Sequence, residues 1–140
     1  MRKIVLDTNC LLMCIAIKST YHNVWTAFLK EGFILCVSNE IMNEYEEVIT
    51  KKTSSMFADM IIQTILNSEN VIFAHPSFRF GLITTDYDDN KFVDCAIVTN
   101  ADYIVSQDKH FNILKKIDFP KVNVININDF SKMISLQQII

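Results

Sequence analysis

Glycine and proline are nearly missing from this chain of 140 residues, with two of each. So little turn-forming material leaves no linker or low-complexity stretch to divide it, and no internal repeat is visible. A single domain over residues 1–140 with a substantial core is the expectation. A basic excess is also absent, because the formal net charge is −3. A domain that holds polyanions by overall electrostatics usually shows the opposite sign. Contact with nucleic acid would therefore rest on local patches such as Lys51-Lys52, or Lys115-Lys116 with Lys121. Each of these also has a plainer reading, as solvated lysines at the negative end of a helix dipole.

Long apolar runs are absent too. The stretch over 10–17 is too short for a membrane span and has no secretory cleavage context, so a cytoplasmic protein without membrane contact is expected. The four cysteines, at 10, 14, 36 and 95, fall within apolar segments and not at framework spacing. That suits buried, reduced thiols in a reducing compartment. Cys10 and Cys14 lie one helical turn apart, but no further Cys or His pair completes a tetrahedral zinc set. The acidic turn Asp86-Tyr87-Asp88-Asp89-Asn90 invites a calcium-loop reading, yet it lacks the interior glycine and closing glutamate of that motif.

What the chain does contain is hydrophobic sequence, half of all residues, arranged as short apolar runs between helical patterns. Ile4-Val5-Leu6 has no polar alternation and predicts a strand covered on both faces. Further strands are predicted over 33–37, 71–74, 103–105 and 122–127. Helical patterns fall over 11–17, 21–29 with Gly32 as a stop, 38–49 with Ser38 as N-cap, 56–66, 90–99, 109–116, and from about Asp129. Residues 77–85 read as irregular. Strands alternating with helices form βαβ crossovers, so the expected fold is α/β, a three-layer α/β/α sandwich around a mostly parallel sheet. In such sheets ligands bind at the carboxyl ends of strands, where the strand order reverses.

Acids gather at those ends. Asp7 follows the first strand, with Thr8 and Asn9 beside it, and an ionised carboxylate there needs a cap, a cation or a metal ion as partner. On a wheel of about 100° per residue, Glu44 falls about 60° from Ile41, beside the stripe of Ile41, Tyr45 and Val48, while Glu46 and Glu47 face solvent. The plain alternative for Glu44 is an ion pair with a basic residue not identifiable from sequence. Asp89 projects within about 20° of Ala96, the centre of its helix's apolar stripe, whereas Asp94 lies about 160° away on the opposite side, so Asp89 is the acid expected to aim at the sheet. Asp108 ends the strand over 103–105 as Asp7 ends the first. Helix capping is the plain alternative for each of these aspartates. Asp7, Glu44, Asp89 and Asp108 cannot all ionise close together without raised pKa values or a cation. An all-oxygen set suits Mg²⁺ or Mn²⁺, and metal-assisted phosphodiester hydrolysis is the natural reaction class.

The residues that carry this pattern, D-T-N at 7–9, S-N-E-I-M-N-E-Y at 38–45, D-Y-D-D-N-K-F at 86–92 and A-D-Y-I-V-S-Q-D-K-H-F at 101–111, resemble the PIN-domain ribonucleases. The resemblance is strongest to the bacterial toxin components of toxin–antitoxin systems related to VapC, and it spans nearly the whole chain in the right order. It implies an α/β/α sandwich and a Mg²⁺ or Mn²⁺ site on Asp7, Glu44, Asp89 and Asp108. Ser106 and Asn9 would support that site. RNA would be the substrate, and a cognate antitoxin the partner. Because the acidic turn also offers Asp86 and Asp88, the third acid has neighbouring alternatives. Trp25 and Phe28, among apolar helix neighbours, together with the pairing common in that family, suggest a homodimer.

Rival readings come from other classes. A haloacid-dehalogenase-like phosphatase requires a second Asp two residues after the first, where this chain has Asn9. A receiver domain requires an acid pair at the first strand and its phosphoacceptor on a middle one. A Ser-His-Asp hydrolase finds no motif around His22 or His75, and His110 reads as a polar helix position. A non-enzymatic PIN-like module that binds a partner or RNA without cutting remains the alternative within the resemblance.

Overall fold

The computed structural model describes residues 1–76, 79–84 and 87–139. Five parallel strands, β1 (Lys3–Leu6), β2 (Ile34–Ser38), β3 (Val71–Ala74), β4 (Tyr103–Val105) and β5 (Val124–Ile125), form one sheet in the order β3-β2-β1-β4-β5. Among the described residues six α-helices connect and close it: α1 (Thr8–Ile15), α2 (His22–Leu29), α3 (Asn39–Lys52), α4 (Ser55–Leu66), α5 (Asn90–Thr99) and α6 (Ile127–Ile139). This is the α/β architecture that the alternation of patterns implied.

The central strand explains the arrangement. Ile4 and Val5 are fully buried and Leu6 nearly so, which requires helices over both faces of β1. The strand order reverses beside it: it runs from β1 outward to β3, then returns across the sheet to β4 and β5. With right-handed crossovers, that reversal puts α1 to α4 on one face and α5 on the other. Helix α5 packs across β1 to β4, while α1 to α4 pack on one another. The reversal lies between β1 and β4, whose carboxyl ends carry Asp7 and Asp108.

Local signals explain most boundaries. The Ser38 hydroxyl accepts from Ile41 N–H at the start of α3, and Ser54 does the same for Phe57 at the start of α4. Gly32 acts through close approach: a Cβ there would sit 3.0 Å from the Ala27 carbonyl oxygen, so only glycine fits comfortably after α2. Asn100 adopts the left-handed conformation that ends α5. Strand β5 is shorter than the predicted 122–127 because Asn126 turns the chain, its Oδ1 accepting from Asp129 N–H at 2.8 Å as α6 begins. Residues 109–116 form a 3-10 helix in place of an α-helix. Phe111 and Leu114 are buried there three positions apart, the spacing that stacks on one face at three residues per turn.

Trp25 and Phe28 are buried in the chain's own core, 5.3 Å apart between ring centroids, and offer no face for pairing. The outward side of α5 is covered along its first two turns, since every residue from Asn90 to Ala96 is buried, and opens to water only at Val98. Segment 79–84 lies over it, held by the Asn90 side chain, which bonds both the N–H and the carbonyl of Ile83. Irregular structure over 77–85 is observed at 79–84; Ser77, Phe78 and Thr85, with the alternative third acid Asp86, lie outside the described residues.

Candidate active site

Asp7 sits at the N-cap of α1, yet its side chain makes no capping bond; the backbone carbonyl alone accepts from Leu11 N–H at 2.9 Å. The carboxylate instead turns toward β4, where the Ser106 hydroxyl donates to Oδ2 at 2.7 Å. Ser106 also accepts from Asp108 N–H at 3.0 Å, linking the two strand ends. Burial raises the Asp7 pKa from its ordinary value. Bonds from Ser106 and the Thr8 backbone oppose that rise, and the charges of Asp108 and Glu44 add to it. A buried carboxylate facing two like charges is a poor cap and a good seat for a cation.

Glu44 reaches the same edge from α3. That helix is pinned beside Asp7 by the buried Tyr45, whose hydroxyl donates to the Leu6 carbonyl. Glu44 Oε2 accepts from the Thr8 hydroxyl, and Oε1 lies 2.9 Å from Lys91 Nζ. Lys91 is thus the basic partner the sequence did not reveal. It lies on α5 with its side chain 8 % exposed, and its ammonium also meets Asp88 Oδ1 at 2.9 Å and the Asp88 carbonyl at 2.6 Å. Burial favours the neutral amine, but Asp88 and Glu44 outweigh it and raise the Lys91 pKa; reciprocally, Lys91 lowers that of Asp88.

Asp89 stands at the N-cap of α5, again without a side-chain capping bond. Its Oδ2 lies 3.1 Å from His110 Nδ1. Asp108 does cap: Oδ1 accepts from His110 N–H at 2.9 Å and lies 3.2 Å from His110 Nδ1. Three ligand atoms, one each from Asp89, Asp108 and His110, therefore fall within 4.8 Å of one another. That donor set, with the anionic Asp7 and Glu44 beside it, fits a divalent cation.

The predicted acids thus arrive from four separate segments, with Asp7, Ser106 and Asp108 joined directly, Glu44 held through Thr8 and Lys91, and Asp89 joined to Asp108 through His110. Asn9 is exposed on the first turn of α1. Asp94 belongs elsewhere: its buried carboxylate accepts from Phe80 N–H at 3.2 Å and lies 3.9 Å from the Arg79 guanidinium. Lys91 and His110 were missed. For His110 a signal existed, because a residue two beyond a strand-end acid sits on the same short turn as that acid. For Lys91 there was none, since the wheel places it among ordinary helix lysines.

Beside the acids, a cleft of about 330 Å³ is lined by Ser106, Asp108, Lys109, Asn112, Lys115 and Asn126 among others. On the opposite flank a recess carries Glu40, Glu44, Glu47 and Asp88 with Lys91. The second would repel a polyanion, whereas in the first Lys109 and Lys115 balance Asp108 and Asp129.

No curated protein sequence matches the chain at a significant level. Solved structures do. VapBC2 from Rickettsia felis, bound to a DNA fragment from its promoter, superposes with a TM-score of 0.61 at 19 % identity, covering 89 % of this chain and 98 % of that one. DNA-bound VapBC from Salmonella typhimurium gives 0.63 at 16 % identity, covering 91 % and 99 %. VapC20 from Mycobacterium tuberculosis, a toxin that cleaves the sarcin-ricin loop, gives 0.57 at 13 %, covering 78 % and 92 %. At such identities these likenesses establish a shared fold. A sequence-family model described as PIN domain matches residues 3–110, from β1 through the site's last acid to His110, and the chain therefore belongs to the PIN-domain family.

Proposed function

We propose that the protein is a metal-dependent endoribonuclease, a single nuclease domain over residues 1–140 that serves as the toxin of a toxin–antitoxin system. The observation that carries the reading is the gathering of Asp7, Glu44, Asp89 and Asp108 where the strand order reverses, the position at which open α/β sheets bind ligands. The group implied is Mg²⁺ or Mn²⁺, held by these four carboxylates. When bound, such a cation supplies Lewis-acid chemistry, activating water and offsetting the charge that develops on a phosphodiester.

The chain's own groups do the rest. Ser106 fixes the rotation of the Asp7 carboxylate and braces Asp108 against it. Thr8 and Lys91 hold Glu44 by both oxygens, so it enters the site in one orientation. Lys109 and Lys115 lie along the cleft that meets Asp108, which makes that flank the path for an RNA backbone. The expected protein partner is a cognate antitoxin. A homodimer now lacks the support of Trp25 and Phe28, and light scattering decides it: a single monomeric mass at working concentrations removes it from the reading. The rival within the family, a module that binds without cutting, has one observation in its favour, the occupation of Glu44 by Lys91 and Thr8.

The test is calorimetry with Mn²⁺. The wild type is expected to bind Mn²⁺ and Asp7→Asn to bind much more weakly. Equal affinity in both would remove the basis of the mechanism. The setting proposed is the cytoplasm; no helix among the described residues is long and apolar enough to cross a membrane.

A further inference from the structure

Every acid so far discussed offers oxygen, and an all-oxygen set describes the site as the sequence presented it. One nitrogen is also there. His110 opens the 3-10 segment after β4, and its Nδ1 lies 3.1 Å from Asp89 Oδ2 and 3.2 Å from Asp108 Oδ1. Nδ1 thus lies close to one oxygen of each carboxylate, and the three ligand atoms fall within 4.8 Å of one another, near enough to share one cation. The ring is also prepositioned. Its own backbone N–H is bound by the Asp108 carboxylate at 2.9 Å, and Phe111, the next residue, is buried against Phe92 of α5 with ring centroids 6.4 Å apart. Two elements that meet the site from different sides, α5 with Asp89 and the turn after β4 with Asp108, converge on one imidazole.

We propose that His110 is a direct ligand of the bound cation through Nδ1, making with Asp89 and Asp108 a mixed nitrogen and oxygen set. The inference rests on the metal-dependent reading above and specifies its chemistry further. Mg²⁺ has little affinity for imidazole, whereas first-row transition ions accept it, with affinities rising from Mn²⁺ through Co²⁺. The site therefore prefers Mn²⁺ or Co²⁺ to Mg²⁺ by a margin that His110 supplies, while Asp7 and Glu44 supply charge to any divalent ion.

The chain has three histidines, which makes the test spectroscopic. Protein labelled with ¹⁵N-histidine is loaded with Mn²⁺ and examined by pulsed electron paramagnetic resonance, alongside calorimetric titrations with Mn²⁺ and with Mg²⁺. A directly bound imidazole gives nitrogen hyperfine coupling that persists in His22→Gln and His75→Gln and disappears in His110→Asn. His110 is partly exposed, 41 % for its side chain, so the substitution leaves the fold intact, as circular dichroism should verify. Removing groups that merely support a ligand weakens metal binding about 10–100-fold. His110→Asn should accordingly lose at least about tenfold in Mn²⁺ affinity and far less in Mg²⁺ affinity. If Mn²⁺ binds and weakens in Asp7→Asn but shows no histidine coupling, the acid site stands and His110 is only a hydrogen-bond donor bridging two carboxylates, which overturns the inference. If Mn²⁺ does not bind at all, the functional reading falls and the inference with it.

Discussion

Lys91 is the most revealing residue to change, because it is a buried cation inside a cluster of acids. Its Nζ lies 2.9 Å from both Glu44 Oε1 and Asp88 Oδ1, and its side chain is 8 % exposed. Breaking a fully buried ion pair from one side costs about 3–5 kcal/mol, and an exposed pair contributes at most about 1 kcal/mol. Here the partners differ: Glu44 is 22 % exposed and Asp88 78 %, so water recovers much of Asp88 and part of Glu44. Lys91→Met keeps most of the aliphatic packing, and the expected loss is about 2 kcal/mol, or about 5–10 °C in Tm for a domain of this size. The same change releases Glu44 from its internal counter-charge, so Mn²⁺ affinity should rise. Saturating Mn²⁺ at about 100 times Kd returns about 2.7 kcal/mol, enough to close the gap with metal-free wild type. Thermal melts with and without Mn²⁺, together with calorimetry, give both quantities. A variant as stable as wild type in metal-free buffer, with unchanged or weaker Mn²⁺ binding, would refute the role given to Lys91 as the counter-charge of Glu44.

Asp94 offers a test of sign. Burial raises its pKa, with the Phe80 N–H and Arg79 opposing; a carboxyl that holds its proton more tightly when folded loses stability as pH climbs from about 3.8 through its folded pKa, and the deficit is constant above. Asp94→Asn should therefore equal or exceed wild type in stability at pH 7, with the difference vanishing near pH 3.8, and should leave RNA cleavage nearly unchanged; denaturant melts across pH and a cleavage assay check both. Lys109→Ala and Lys115→Ala should weaken RNA binding evenly across sequences and each lower the salt slope by about one, as fluorescence anisotropy at several salt concentrations would read. A steep sequence dependence in those variants would contradict simple backbone contact.

The sheet was legible because β1 is an unbroken apolar run and its neighbours alternate with helical patterns, which leaves few topologies open. Glu44 was legible for a similar reason, since the stripe of Ile41 and Tyr45 determines which glutamate looks inward. Asp94 lies on the side of α5 that the wheel gives it, but segment 79–84 covers that side, held by the Asn90 amide seven residues away through a contact with no periodic signature, so its burial was not legible. Trp25 and Phe28 turn out to be core residues, which the sequence does not tell apart from a pairing face, because apolar residues on a short helix look alike whether they meet the core or a partner. Lys91 escaped because a lysine on a helix is ordinarily solvated, and only the tertiary placement of Glu44 and Asp88 makes burial tolerable. His110 escaped because its role depends on Asp89, a residue contributed by another element.

Cleavage of a mixed RNA pool with Mg²⁺ or Mn²⁺, with a chelator as control, tests the central claim most directly. Wild type should cut only when the cation is present. Asp7→Asn, Glu44→Gln, Asp89→Asn and Asp108→Asn should each lose most of the rate, and double variants little more, because the carboxylates act as one unit. Cleavage that persists in chelator, or that survives in Asp89→Asn while Asp94→Asn abolishes it, would contradict the account.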